Sequence, residues 1–256
     1  VNNSASQKIS TASSSAIRLV WLFVFSTLCS CVYRPLPFFE TSGRPNVAGH
    51  YGGGAIAEVI EAGKVKNRIA SAFPSPVLDI TPEVEEKLQR YLDLDPNFVP
   101  EALERRAAHY PMLLRIWQEE ELPLELLNVA LIESGFDTNA RSHVGAMGMW
   151  QFMPQTARGY GLKVSTFQDQ RKDPVLSTIA AAKYLKELYE MFECWHLALA
   201  AYNAGPAAVH RAIRRTESRN FWDIVRANNI NGQTAQFVPR FIAASLIVQE
   251  YERGAG

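Results

Sequence analysis

The chain has 256 residues, 47% of them hydrophobic, enough for one domain with a proper core plus additional segments. Lysine plus arginine equals aspartate plus glutamate, 26 against 26, which leaves no electrostatic footprint for nucleic acid or for a strongly acidic ligand. Three cysteines (Cys29, Cys31 and Cys194) make no disulfide framework, and five scattered histidines without His-Glu-x-x-His or Cys-x-x-Cys spacing argue against a metal or other cofactor.

The N-terminal segment is different in kind from the rest. Lys8 and Arg18 precede the ten-residue apolar run Leu19 to Leu28, too short to span a bilayer comfortably but suited to a secretory leader. It ends in Leu28-Cys-Ser-Cys31, where the small residue before Cys31 and the leucine three positions before it resemble a bacterial lipoprotein cleavage box; Cys29 is an imperfect fit. The expectation is a lipoprotein-type signal peptide over 1–30, lipid on Cys31, and a periplasmic protein anchored by that lipid to the outer membrane. A cleaved leader without lipid, or an uncleaved anchor, are the alternatives. Residues 31–80 read as a tether rich in proline and glycine, with a possible short helix between Glu58 and Phe73.

Helical patterning takes over at Thr81, and the domain is expected over 81–256. Thr81-Pro-Glu83 sets a cap residue before proline at the first helical position, and Val84, Leu88, Tyr91 and Leu92 follow at helical spacing. Further helices are predicted from about Pro100 to His109 and from about Met112 to Glu120, the latter with Leu113, Ile116 and Trp117 on one side. Pro123 opens the next, which ends at Glu133. An irregular or β-hairpin excursion is expected around Ser142 to Gln151, where Gly145 and Gly148 interrupt any helix. Asp173-Pro174 is a strong start signal for a long helix with Val175, Ile179, Ala182, Leu185, Tyr189 and Phe192 along its buried face. A helix from Trp195 to Tyr202 follows, Pro206 starts another, and the last is predicted from near Pro239 to Tyr251. The fold class is mostly α.

Glu133 is the candidate acid. It stands at the end of the apolar run Leu127-Asn-Val-Ala-Leu-Ile-Glu-Ser-Gly-Phe136, where aliphatic neighbours strip hydration from its charged form and raise its pKa toward neutrality. Such a group suits proton donation near pH 7; the alternative is an exposed acidic residue at a helix end. An acid of this kind commonly works with a second carboxylate nearby. Asp137, Asp169 and Asp173 are the nearby candidates, although Asp173 reads better as a helix cap and Asp137 as a turn residue. Cys194 reads as a small buried apolar side chain.

Four blocks carry a resemblance: the Glu133-Ser134 dipeptide; Ser142-His-Val-Gly-Ala-Met-Gly-Met-Trp-Gln-Phe-Met-Pro154, continued by Gln155-Thr-Ala-Arg-Gly-Tyr-Gly161; Ala200-Ala-Tyr-Asn-Ala-Gly-Pro206; and Thr234-Ala-Gln-Phe-Val-Pro-Arg-Phe241. In this order they resemble the lysozyme-like domain of the lytic transglycosylases, over a stretch from about Val84 to about Glu250. The resemblance implies a goose-type lysozyme-like helical fold. It implies peptidoglycan glycan strands as the partner, cut at the bond between N-acetylmuramic acid and N-acetylglucosamine without water. A single glutamate, here Glu133, acts as acid and then base, while the substrate's own N-acetyl group supports the cationic centre and the 6-hydroxyl closes a 1,6-anhydro ring.

Supporting roles are implied for Ser134, Gln151, Tyr202 and Asn203. Ser134 would touch the sugar, or merely return its hydroxyl to a backbone carbonyl. Gln151 would offer a donor and an acceptor. Tyr202 would hold the carboxyl group, and Asn203 lies beside it unless it serves as a left-handed helix cap. Met149, Phe152 and Met153 would wall the sugar faces, or be plain core. Where the family often has Glu-Thr-x-x-Tyr-Val, this chain has Gln233-Thr-Ala-Gln-Phe-Val238, so neither Gln233 nor Phe237 is given a catalytic role. A hydrolytic muramidase and a non-catalytic wall-binding lipoprotein are the competing functions.

Overall fold

The computed structural model describes residues 71–254. The expected leader over 1–30, the lipidation site Cys31 and all but the last ten residues of the expected tether lie outside the described residues. Among the described residues, ten α-helices follow in chain order: α1 Pro82–Leu94, α2 Phe98–Ala107, α3 Tyr110–Glu119, α4 Asn128–Ser134, α5 Pro154–Gly159, α6 Pro174–Phe192, α7 Trp195–Ala204, α8 Pro206–Thr216, α9 Phe221–Arg226 and α10 Gly232–Gly254. The mostly α expectation holds.

The core is organised around α4, entered through a 3₁₀ turn at Leu124–Leu127. Asn128, Val129, Ala130, Leu131 and Ile132 are all buried, so this short helix is enclosed on every side rather than amphipathic. It packs against α10 and α2, while α7, buried at six of its ten positions, packs on α6, α8 and α10. Where the core must carry polar groups, it pairs them: Asn128 Nδ2 donates to Ser245 Oγ at 3.0 Å, tying α4 to α10. Trp117 and Trp150 stack with ring centroids 5.1 Å apart, and each indole finds an acceptor, Pro123 O and Thr178 Oγ1 respectively.

Local chemistry explains most helix starts. Asp173 Oδ1 accepts from the backbone N–H groups of Val175 and Leu176 at 2.9 and 2.8 Å, with Pro174 fixed in the first turn. Asn220 caps α9 in the same way. Thr81 occupies the cap position of α1 in extended geometry, but its hydroxyl makes no capping bond.

The last helix departs from expectation. It begins at Gly232, seven residues before the expected start, with Pro239 inside it. Asn231 starts it, accepting from Thr234 N on its side chain and from Ala235 N on its carbonyl. Thr234, Phe237, Val238, Phe241 and Ile242 are buried on both sides of the proline, so packing outweighs the one backbone bond that Pro239 cannot donate. Helices α5 and α9, six residues each, were not expected at all.

The excursion between α4 and α5 is irregular, carrying the isolated antiparallel bridges Arg141 to Met147 and Met147 to Phe152. A buried cation holds it. Arg171, 5% exposed, pairs with Asp169 through Nε and Nη2 at 2.8 and 2.7 Å, and its Nη1 donates to the carbonyls of Gly145 and Phe152. A guanidinium out of water is tolerable because its donors are used this fully. Gly148 (φ +81°) passes so close to this arginine that a Cβ would stand 1.9 Å from the Arg171 carbonyl oxygen. Gly148→Ala combines that clash with a left-handed backbone, and should cost more than about 2 kcal/mol. Urea unfolding of the two proteins checks this.

Candidate functional site

Glu133 lies one residue from the end of α4, and Gly135 (φ +59°) turns the chain away immediately after it. The buried body of α4 thus delivers one carboxyl group to the edge of the core. There it faces a cavity of about 260 Å³, lined also by Ser142, His143, Val144, Ala146, Gln151, Phe152, Met153, Thr156, Tyr184, Tyr202, Asn203 and Gln233. Glu133 is half-buried, open to the cavity but otherwise surrounded by protein. Loss of hydration pushes its pKa from the ordinary 4.5 up to about 7, and the positive charge of Arg240 pulls in the opposite direction without prevailing. Arg240 reaches the same place by a second route, donating from Nη2 to the carbonyl of Ile132 at 2.9 Å.

Of the eight residues expected at the site, six line this cavity and two do not. Ser134 donates to the carbonyl of Met149 at 2.7 Å and lies 3.3 Å from that of Ala130, the bond pattern of a helix-end hydroxyl that also clasps the excursion. Met149 is fully buried and takes part through its backbone carbonyl. Phe152 and Met153 both line the cavity, the first buried and the second 43% exposed.

Gln151 adopts φ +47°, an uncommon conformation for a side-chain-bearing residue that the surrounding bonds must hold in place. Its Nε2 donates to the carbonyls of Gly148 and Ala140 at 2.8 and 3.2 Å. Both donors are therefore spent on backbone, and the amide oxygen is the part that can address a ligand.

Tyr202 donates to the carbonyl of Trp150 at 2.8 Å rather than to the carboxyl group. Burial holds its phenol far from ionisation, and the nearby charge of Glu133 adds to that. With its own proton committed, the phenol oxygen can only accept, which suits a neighbour that is protonated near pH 7. Its ring lies in an aromatic cluster with Tyr184 and Phe152, centroids 5.2 and 6.4 Å away. Asn203 is not a left-handed cap: it stays in the last turn of α7, and the positive φ (+80°) falls on Gly205. Its Oδ1 accepts from the Thr234 hydroxyl at 2.9 Å, leaving its NH₂ for the cavity.

The three candidate second carboxylates are all engaged elsewhere. Asp137 accepts from the backbone N–H of Asn139 at 2.8 Å, Asp169 is held by Arg171, and Asp173 caps α6. Hydrogen bonding from Arg171 keeps Asp169 below its usual pKa. Among the described residues that line the cavity, Glu133 is the only carboxylate.

Sequence reasoning gave no role to Tyr184, Thr156, His143 or Gln233, which also line the cavity. Gln233 is easily discounted because it lacks a carboxylate; its place on the cavity wall comes from the early start of α10.

The raised pKa of Glu133 also couples stability to pH. An acid with a higher pKa when folded than when unfolded opposes folding wherever it must ionise. The penalty is absent below about 4.5, grows as pH rises and is complete above about 7, where a displacement of this size is worth at most on the order of 3 kcal/mol. Glu133→Gln should therefore be more stable than the parent at pH 8 and indistinguishable from it near pH 4. Chemical denaturation across that range measures the difference.

Residues 114–225 match the family model described as Transglycosylase SLT domain. The membrane-bound lytic murein transglycosylase D of Escherichia coli K12 is 33% identical over 175 residues, covering 66% of this chain and 38% of that protein. The peptidoglycan transglycosylase gp16 of Escherichia phage T7 is 43% identical over 82 residues, 31% of this chain and 6% of that one. The 70 kDa soluble lytic transglycosylase of Escherichia coli superposes with a TM-score of 0.51 at 19% identity, over 77% of this chain and 40% of its own, a likeness of fold. The chain thus spans 38% of the length of the transglycosylase D proteins that it matches.

Proposed function

We propose that this chain, whose residues 114–225 match the transglycosylase SLT domain and whose fold is like that of a soluble lytic transglycosylase, is a lytic transglycosylase of peptidoglycan, with Glu133 as its one acid and base. The observation that carries this reading is Glu133, poised near neutrality as the only carboxylate among the described residues that line the cavity. A retaining hydrolase of two carboxylates needs a partner about 5 Å away. Here the substrate must supply that function itself.

The steps balance without water. Protonated Glu133 gives its proton to the oxygen linking N-acetylmuramic acid to N-acetylglucosamine, and the bond from muramic carbon 1 to that oxygen breaks. The acetamido carbonyl of the same muramic residue supports the cationic carbon. The Glu133 carboxylate then takes the proton of the 6-hydroxyl as its oxygen bonds to carbon 1, closing the 1,6-anhydro ring and restoring the acid. A pKa near 7 serves both halves of the cycle, and an internal attack needs little ordering beyond binding. Gln151, through its amide oxygen, and Asn203, through its NH₂, would position sugar hydroxyl or acetamido groups, while Phe152 and Met153 would flank sugar faces. Tyr202 would hold Glu133 by accepting its proton in a hydrogen bond, and Ser134 and Met149 would act from behind by fixing the excursion against α4.

Mass spectrometry of muropeptides released from purified sacculi is expected to show anhydro ends, lighter by one water than hydrolytic ends. Reducing ends would instead assign a muramidase. Glu133→Gln should lower the rate by about 10²–10⁴-fold while leaving binding to sacculi intact, and the parental rate should fall on the alkaline side with a midpoint near 7. Unchanged clearing by that variant would exclude Glu133 as the acid.

We further propose export through the leader over 1–30 and attachment to the outer membrane, facing the periplasm, by lipid on Cys31. The support is the leader pattern itself, together with similarity to a protein named as membrane-bound. Radiolabelled fatty acid should enter the parent and not Cys31→Ala; label persisting in the variant would move the attachment elsewhere.

A further inference from the structure

A second cleft, of about 570 Å³, opens between α1 and α10. Lys87, Arg90, Tyr91 and Leu94 line it from α1, spaced as one helical stripe; Asp95 and Phe98 follow them, and Gln236 and Arg240 complete it from α10. Every one of these residues lies outside the stretch 114–225 that matches the family domain, so the cleft is no part of what that match describes.

Its chemistry is lopsided. Among the described residues that line it are three cations and one carboxylate, Asp95. Lys87 is the telling one, 8% exposed, its ammonium held at 2.7 Å by the outward-facing carboxylate of Glu86. That contact uses one of three ammonium donors, and the bond to Ile132 uses one of the five N–H donors of Arg240. Tyr91 and Phe98 stack at 5.7 Å beside Leu94 to give an apolar wall. Cations around an apolar wall suit a carboxylate carried on a short, partly apolar chain, with guanidinium groups able to grip it by two parallel bonds.

The two clefts share a helix face. Gln233 lines the Glu133 cavity, and Gln236 and Arg240, three and seven residues further along α10, line the second cleft. At about 1.5 Å per residue the whole separation is roughly 10 Å. An extended peptide advances about 3.3–3.6 Å per residue, so about three residues cover it.

We propose that the cleft between α1 and α10 binds the carboxylate-bearing peptide that hangs from the lactyl group of muramic acid, while the glycan strand occupies the Glu133 cavity. The inference rests on the transglycosylase reading and specifies the substrate further: strands that still carry their peptides are the preferred ones.

The test compares the full chain with Lys87→Met, Arg90→Gln and the double variant on two substrates, peptide-bearing glycan strands and the same strands stripped of peptide by an amidase. The parent should favour peptide-bearing strands, and the double variant should lower that preference about tenfold, through KM rather than kcat. Lys87→Arg, which restores the charge, should recover it; Arg90→Gln, at an exposed position, guards against a loss due only to misfolding. A preference that is absent in the parent, or unmoved in the variants, overturns the proposal. In a second arm, isolated stem peptide is titrated calorimetrically into each protein, with inorganic phosphate at matched ionic strength as the comparison. Peptide binding weakened about tenfold in the double variant supports the site; phosphate binding as tightly as peptide reduces it to a general anion pocket and overturns the peptide assignment. A parent that binds peptide yet cuts neither strand defeats the transglycosylase reading alone. One that cuts both strands equally and ignores peptide defeats this proposal alone.

Discussion

Burial of α4 on all sides is the constraint from which the candidate site follows. A seven-residue helix is too short to be stable by itself, so its existence depends on the packing that encloses it. That same packing removes water from whatever its last residues carry. Glu133, at the boundary between core and cavity, keeps one opening while losing most of its hydration. Its acidity is thus set by the interior behind it more than by a charged partner, since the one opposing influence, Arg240, fails to bring the pKa back to an ordinary carboxylate value. Stability and proposed chemistry pull against each other here: the proton-donating form is comfortable in the fold, and the carboxylate form is not.

The rest of the cavity is held by bonds that point away from it. Arg171 fixes the excursion from beneath by gripping the carbonyls of Gly145 and Phe152, and Ser134 clasps it to α4 through Met149. Tyr202 joins α7 to the same loop through the carbonyl of Trp150. Irregular backbone is expensive to bury because its polar groups have no regular partners. In this protein side chains supply them, and Gln151 uses both of its N–H groups for that purpose. Several residues singled out for ligand contact therefore spend their donors on scaffolding and keep only one face, an amide oxygen or an NH₂, for anything that enters.

What the sequence disclosed depended on how local the governing physics was. Asp173-Pro174 was readable because capping is decided within four residues, and the stripe of α6 because a long helix repeats its pattern. The end of α4 was readable for the same reason: aliphatic neighbours announce desolvation before any fold is known. The early start of α10 was not. A proline reads locally as a helix breaker or a helix start, whereas the burial of Phe237 and Val238 against distant helices is not local, and Pro239 sits within a helix that packing sustains. The short helices α5 and α9 offer too few residues to show a period. Gln233 was discounted for its missing carboxylate, when its position depended on where α10 begins. The engagement of Asp169 by Arg171, two residues away, is local yet invisible without knowing that the arginine is buried.

A single ionisable acid in a cavity constrains the chemistry more than two would. With two carboxylates, one protonates and the other stabilises charge or delivers water, and the protein fixes both roles in advance. In the proposed reaction Glu133 would do one thing at a time, donating its proton and then retrieving one within a turnover. A pKa near 7 would suit such alternation, because neither state lies far from the other in free energy. On that reading, charge on the reacting carbon would be met by something that arrives with the substrate, and the amide groups of Gln151 and Asn203 would orient it rather than replace it. Positioning would then be the main contribution of the protein, consistent with hydrogen bonding that lies behind the cavity wall and with the little charge among the described residues that line it.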